Sequence, residues 1–142
     1  MLLDANGLII GRLGTFAAKK ALLGERVDII NCEKAVISGR KEEVFAKYKR
    51  RSNMGTPRKG PFIPRMPDRF VRRIIRGMFP MQKAKGRQAY KNVKCYIGVP
   101  EEFKGKAAET IPNASADKLP TLKKVSIAEV CRFLGGKWHE IK

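Results

Sequence analysis

The chain has 142 residues, of which 43% are hydrophobic and 31% are charged, so it can build a hydrophobic core and is not intrinsically disordered. No apolar run approaches the roughly 20 residues that span a bilayer, and the first residues lack the basic start and cleavage site of a signal peptide, so we expect a soluble intracellular protein. Lysine and arginine number 31 against 13 acidic residues, a formal charge of +18, which indicates a polyanionic partner such as a nucleic acid or an anionic membrane surface.

The first fifty residues alternate between strand and helix patterns. Short apolar runs lead into residues 11–24, where apolar side chains recur near helical spacing and Gly24 can end the helix in the left-handed conformation. The β-branched segment Arg26–Asn31 predicts a strand, and Lys34–Ser38 is a candidate for another. Glu42–Arg51 predicts a short helix, because its acidic residues lie at the amino end and its basic residues at the carboxyl end, as the helix dipole favours.

Positive charge is concentrated in the middle of the chain. Residues 40–91 hold 17 lysines and arginines against three acidic residues, a formal charge of +14, whereas the other 90 residues carry +4. This distribution predicts a near-neutral body, roughly residues 1–40 and 92–142, that supports a strongly basic segment.

The stretch RFVRRIIRGMFP at residues 69–80 mixes large apolar residues with arginines. A helix that begins at about Asp68 separates them into an apolar face of Phe70, Val71, Ile74, Ile75 and Met78 and an arginine face of Arg69, Arg72, Arg73 and Arg76. Asp68 can cap this helix, and Pro80 prevents its continuation. We expect the apolar face to dock on the protein and the guanidinium groups to bind phosphates; a merely solvated arginine face is the alternative.

Basic residues continue on both sides of this helix. The preceding loop, SNMGTPRKGPFIPRMP at residues 52–67, is punctuated by proline and glycine and contains no acidic residue. Such a loop would gain order by lying along phosphate groups. Phe62 and Met66 can anchor the loop to the protein, which is the interpretation we favour, or Phe62 can stack on an unpaired base.

The last fifty residues return to an alternation of strand and helix. Val93–Val99 predicts a strand. Ser126 and Glu129 form a capping box at the start of a helix, and Gly135 can end it. The alternation predicts an α/β layered fold with a parallel sheet, and the lack of internal repeats predicts a single domain over residues 1–142.

No catalytic motif is recognisable. The glycines of GLIIGRLG at residues 7–14 lack the spacing of a dinucleotide-binding turn or a P-loop, and a tight turn before a helix is a better interpretation than an anion site. The sequence has one histidine, His139, and no serine or cysteine with an evident base beside it. We therefore predict a protein that is not an enzyme and uses no cofactor.

The three cysteines, Cys32, Cys95 and Cys131, are odd in number and widely spaced. This pattern argues against a disulfide framework, and the lack of C-x-x-C spacing argues against zinc. Cys131 and His139, eight residues apart, come nearest to a ligand pair. We expect buried structural thiols and no metal site.

Folded RNA is the polyanion that suits this sequence best. The helix from Asp68 has part of the character of a membrane-surface helix, but basic residues continue beyond it and Trp138 is remote. None of the common DNA-binding motifs is recognisable, whereas folded RNA is recognised by shape and phosphate geometry. The predicted RNA contacts are Arg40, Lys41, Lys49, Arg50, Arg51, Arg58, Lys59, Arg65, Arg69, Arg72, Arg73, Arg76, Lys83, Lys85 and Arg87.

Two segments carry a family resemblance. DANGLIIGRLGTFAAK at residues 4–19 and RGMFPMQKAKGRQAYKNVKCYIG at residues 76–98 resemble the family numbered thirteen among the universal large-subunit ribosomal proteins. The recurring features are Asp4-Ala5, Gly11-Arg12-Leu13, Asn31, Gly77-Met78-Phe79-Pro80, Gly86-Arg87 and Tyr96. The insert GTPRKGPFIPRMPDR at residues 55–69 resembles the archaeal and eukaryotic branch of that family, and we expect an archaeal source.

The resemblance implies a three-layer α/β/α domain with a four-stranded parallel sheet and a basic loop-plus-helix insertion. It also implies a structural constituent of the large ribosomal subunit in the cytoplasm, which binds large-subunit ribosomal RNA and aids subunit assembly. Implied partners are neighbouring large-subunit ribosomal proteins, with one copy per ribosome and a free monomer. A non-ribosomal RNA- or DNA-binding module is the alternative.

Overall fold

The computed structural model describes residues 1–138. The strands are β1 (Leu2–Asp4), β2 (Val27–Ile30), β3 (Val36–Ser38), β4 (Val93–Cys95) and β5 (Lys124–Ser126). The helices are α1 (Ile10–Leu22), α2 (Lys41–Ser52), α3 (Pro67–Arg76), α4 (Ala84–Lys91) and α5 (Ile127–Phe133). No helix within residues 1–138 is both long and apolar enough to cross a membrane.

The parallel sheet has three strands in the order β1-β2-β4, so the expectation of four parallel strands is wrong. The chain leaves this sheet after β2, because Asn31 takes the left-handed conformation with φ of 54° and a short 3-10 turn follows at Cys32–Lys34. Residues 36–38 then pair antiparallel with β5 in a separate two-stranded sheet. The predicted segment Lys34–Ser38 therefore forms a strand, but not one of the parallel sheet.

Strand β2 lies at the centre of the parallel sheet and is buried along its whole length. Ile29 pairs with Leu3 on one side and with Cys95 on the other. Beyond Cys95 the predicted strand is irregular, although Tyr96 N–H still donates to Ile29 O at 2.8 Å. Burial on both sides is why the β2 segment reads as a nearly continuous apolar run.

The main hydrophobic core joins this sheet to the helices. Helix α1 contacts α3 and α4, and all three contact β4, with Leu13, Val71 and Ile29 completely buried among them. Helix α5 packs against α2 and α3. These contacts confirm a mixed α/β fold with helices on a parallel sheet, whereas the three-layer order stays a prediction.

Local end signals act as the sequence predicts at both ends of the chain. Glu129 N–H donates to Ser126 Oγ at 3.2 Å at the start of α5, and Gly135 follows that helix with φ of +87°. Gly24 ends the α1 region with φ of +101°. Gly7, with φ of +65°, lies in a turn before α1, whereas Gly11 and Gly14 lie inside that helix. Arg12, also in α1, donates from Nη1 to the carbonyl oxygen of Asn113 at 2.9 Å.

Candidate nucleic-acid interface

Thirteen of the fifteen predicted contacts lie on the carboxyl-terminal part of α2, on α3 and α4, and on the segments that join these helices. We call this set the basic surface: Lys49, Arg50, Arg51, Arg58, Lys59, Arg65, Arg69, Arg72, Arg73, Arg76, Lys83, Lys85 and Arg87. Aromatic side chains join its three helices. Tyr48 of α2 lies 4.9 Å from Phe70 of α3 between ring centroids, and the guanidinium of Arg72 on α3 lies 4.8 Å from the ring centroid of Tyr90 on α4. The fold therefore brings together helices that are separated by loops in the sequence.

The basic surface carries positive charge without internal neutralisation. All of its members are exposed except Arg72, which is half-buried. Within residues 1–138, none of its nitrogens has a carboxylate oxygen within 4.0 Å. Phosphate groups could therefore bind these side chains without breaking ion pairs of the described protein. In the absence of phosphate, water and dissolved salt screen the repulsion among the positive charges.

Helix α3 has the amphipathic organisation that the sequence predicts. Phe70, Val71 and Ile75 are buried, whereas Arg69 and Arg73 are exposed on the other side. The predicted cap is wrong, because the helix begins one residue earlier, at Pro67, and no side chain caps it. Proline suits this first position since its missing N–H would have no partner there, so a capping side chain is less necessary.

Arg72 departs from the outward-facing position that was expected of it. Its guanidinium covers Tyr90, and its Nε is buried with no hydrogen-bond partner in the described protein. Arg72 lies at the edge of the arginine face, where α4 approaches α3, and the tyrosine ring attracts the cation electrostatically. Part of the role of Arg72 is therefore to join two helices.

Of the two anchors that the sequence predicts for the loop before α3, Met66 is partly buried and Phe62 is exposed. Phe62 is 69% exposed, so the interpretation of Phe62 as an anchor is wrong. Ile63 packs against the hydrophobic core, Met66 is partly buried, and the backbone of Arg65 approaches Gly136 so closely that a Cβ there would collide. Contacts on the carboxyl side of Phe62 hold the loop and leave its ring in solvent.

Arg40 and Lys41, the other two predicted contacts, lie apart from the basic surface. They precede and begin α2, about 15 Å along the helix axis from its basic carboxyl end. Arg40 Nε lies 3.9 Å from Glu43 Oε1, and Lys41 Nζ lies 3.8 Å from Glu129 Oε1. These pairs are exposed and weak, so they do not exclude a phosphate contact.

Two further lysines, which are not among the predicted contacts, lie beside Arg40. Lys123 and Lys124 line the same shallow recess, where Gly39 N–H donates to Lys123 O at 2.9 Å. They belong to the near-neutral body, whose low total charge does not single them out. A local signal was available, since residues 118–128 contain three lysines and no acidic residue.

The thiols fit a structural role better than a chemical one. Cys32 and Cys131 are buried as expected, whereas Cys95 is half-exposed. Burial, and to a lesser extent the nearby charge of Asp68, raises the pKa of the Cys131 thiol to about 12. The possible ligand partner His139 lies outside the described residues, and no cluster of three or more metal-ligating side chains occurs in residues 1–138.

Comparison with known proteins adds independent evidence. The family model described as ribosomal protein L13 matches residues 1–102. A relative named large ribosomal subunit protein uL13 from Archaeoglobus fulgidus is 46% identical over 134 residues, which cover 94% of this chain and 86% of the relative. Proteins of the same name from Methanococcoides burtonii and Halobacterium salinarum are 44% and 38% identical, over 96% and 95% of this chain and 98% and 90% of their own.

Proposed function

The chain belongs to the ribosomal protein L13 family, and on that premise we propose that it is a structural constituent of the large ribosomal subunit whose basic surface binds ribosomal RNA. It works in the cytoplasmic ribosome beside ribosomal RNA and other ribosomal proteins. As a member of this family it is a structural component rather than an enzyme.

One observation carries the RNA-binding role. The basic surface gathers thirteen cations on three connected helices and their loops, and no described carboxylate lies within 4.0 Å of them. Charge of one sign held on a rigid support attracts a polyanion and gains affinity through the release of its counterions. Arginine dominates the set, and its planar fork binds phosphate oxygens in pairs.

Membership of this family favours RNA over other polyanions as the partner of the basic surface. Lipid headgroups would also be attracted by this charge, but membrane docking needs apolar side chains on the same face. The apolar face of α3 is buried in the core instead, with Val71 and Ile75 completely inaccessible. Helix α3 therefore offers no apolar side chains that could anchor the protein to a lipid bilayer.

We extend the proposal to the whole chain. Residues 1–142 act as one domain in which the body positions residues 40–91, and the fifteen predicted cations all reach RNA. We further propose one copy per ribosome, a monomer when free, and a part in subunit assembly. These proposals do not depend on a three-layer α/β/α order.

Binding to deproteinised large-subunit ribosomal RNA, compared with unrelated RNA of equal size and titrated with salt, tests the function. Neutralisation of seven to ten phosphates predicts that log K falls against log salt with a slope of roughly −5 to −9. A preference for the ribosomal RNA at physiological salt is the expected result. Equal binding to both RNAs would contradict the ribosomal role and favour a general nucleic-acid-binding module.

A further inference from the structure

The loop before α3 forms a recess beside the exposed ring of Phe62. The recess has a volume of about 610 Å³ and is lined by residues between Ser52 and Arg65. This volume falls within the roughly 300–1,000 Å³ of small-ligand sites. Phe62 and Met54, which are 69% and 53% exposed, contribute to its apolar surface. The exposed ring of Phe62 beside a recess of this size is available to contact another molecule.

The backbone holds the Phe62 ring in place from below. Ring atoms Cδ2 and Cε2 lie 3.0 and 3.1 Å from the point where residue 60 would carry a Cβ, so the ring rests on Gly60. Gly60 has φ of +83°, and its N–H donates to Thr56 O at 2.9 Å across a tight turn. One side of the ring thus contacts the backbone at Gly60, while most of the side chain remains exposed. A side chain whose freedom is already restricted by such a contact loses less entropy when a ligand binds.

The charges around the recess favour a nucleotide over an apolar partner. Arg65 lines the recess, Arg58 and Lys59 lie in the turn that forms it, and no acidic residue occurs between Glu43 and Asp68. An apolar protein segment would bring no charge to offset these cations. A nucleotide brings both a flat π-face for the ring and a phosphate for the guanidinium groups.

We propose that this recess, the Phe62 recess, binds one unpaired nucleotide of RNA. The base stacks on the exposed face of Phe62, and the phosphate lies beside Arg65. Asn53 and Thr56 line the same recess and supply groups that can donate or accept hydrogen bonds with base edges. The inference rests on the proposed RNA-binding function, to which it adds an unpaired base as a required element.

Variants of Phe62 in the full chain test this inference against large-subunit ribosomal RNA. F62A is expected to weaken binding by about 5- to 100-fold, since stacking of a base on an aromatic ring is lost. F62L is expected to weaken it similarly, because leucine offers apolar area but no π-face, whereas F62W should bind at least as well as the wild type. L23A is the matched control, because Leu23 is 71% exposed and lies outside the basic surface. The dependence on salt should be the same in all of them.

A short single-stranded oligoribonucleotide and its duplex separate failure of this inference from failure of the ribosomal role. F62A should reduce binding of the single strand and leave binding of the duplex unchanged, whether or not the wild type prefers ribosomal RNA. Wild-type affinity in F62A, or in F62L alone, would overturn the stacked nucleotide. If the wild type shows no preference for ribosomal RNA but F62A still weakens binding of the single strand, only the ribosomal role is overturned.

Discussion

Neutralising Arg69 and Arg73 should weaken RNA binding without weakening the fold. The two residues lie one turn apart on the exposed side of α3, and neither has a described carboxylate within 4.0 Å. The double variant R69Q/R73Q removes both charges and keeps side chains of similar shape. Because neither residue is buried, the free energy of unfolding should change by less than about 0.5 kcal/mol per substitution. Arg72 is unsuitable for this test because it stacks on Tyr90.

The size of the effect follows from the two guanidinium groups. A hydrogen bond to a charged group contributes about 1.5–3 kcal/mol, so one bond lost from each arginine gives at least about 3 kcal/mol, or roughly 150-fold in affinity. Two fewer phosphate contacts should also make the slope of log K against log salt less negative by about 1.4–1.8. The two observables are independent, because one reports strength and the other counts counterions.

Fluorescence anisotropy with labelled large-subunit RNA fragments, repeated at several salt concentrations, measures both quantities. K94Q/K104Q is the matched control, since it removes the same net charge from exposed positions outside the basic surface. The control should lose much less affinity than R69Q/R73Q and retain more of the salt slope. Equal behaviour of the two double variants would refute a localised interface on α3 and leave only the overall charge of the protein as the cause of binding.

Further predictions concern packing and protonation. A double-mutant cycle with R72M and Y90L should show a coupling of roughly 0.5–2 kcal/mol in urea unfolding, and a coupling of zero would mean that the cation–π contact does not stabilise the protein. G86A should destabilise by about 1–3 kcal/mol because its Cβ would collide with a backbone carbonyl. G11A should stabilise the folded protein by about 0.5–1 kcal/mol, because the added Cβ enters open space on a helix. Equal melting temperatures of G86A and G11A would contradict this reasoning. The free energy of unfolding should fall between pH 9 and 12, because the unfolded Cys131 thiol ionises near its usual pKa while the folded one stays protonated up to about 12. In C131A the fall between pH 7 and 10 should be smaller by roughly 1–2 kcal/mol, and an unchanged fall would show that this thiol does not titrate as its burial requires.

The sequence predicted the composition of the candidate site better than its arrangement. It identified the cations of residues 40–91, of which all but Arg72 are exposed. It could not show that Arg72 would meet Tyr90, or that Arg40 and Lys41 would lie with Lys123 and Lys124. Each of these outcomes depends on which distant segment becomes a neighbour, and one-dimensional spacing does not contain that information.

The same division runs through the fold. The sequence by itself determined the apolar face of α3, the helix cap at Ser126 and the glycine stop at Gly24, because each depends on residues within a few positions of one another. Only the tertiary structure decided the partner of β3 and the exposure of Phe62. The partner of a strand depends on which strand edge the preceding turns bring next to it. An aromatic side chain is buried only if another part of the fold covers it. Long-range packing therefore decided both the partner of β3 and the exposure of Phe62.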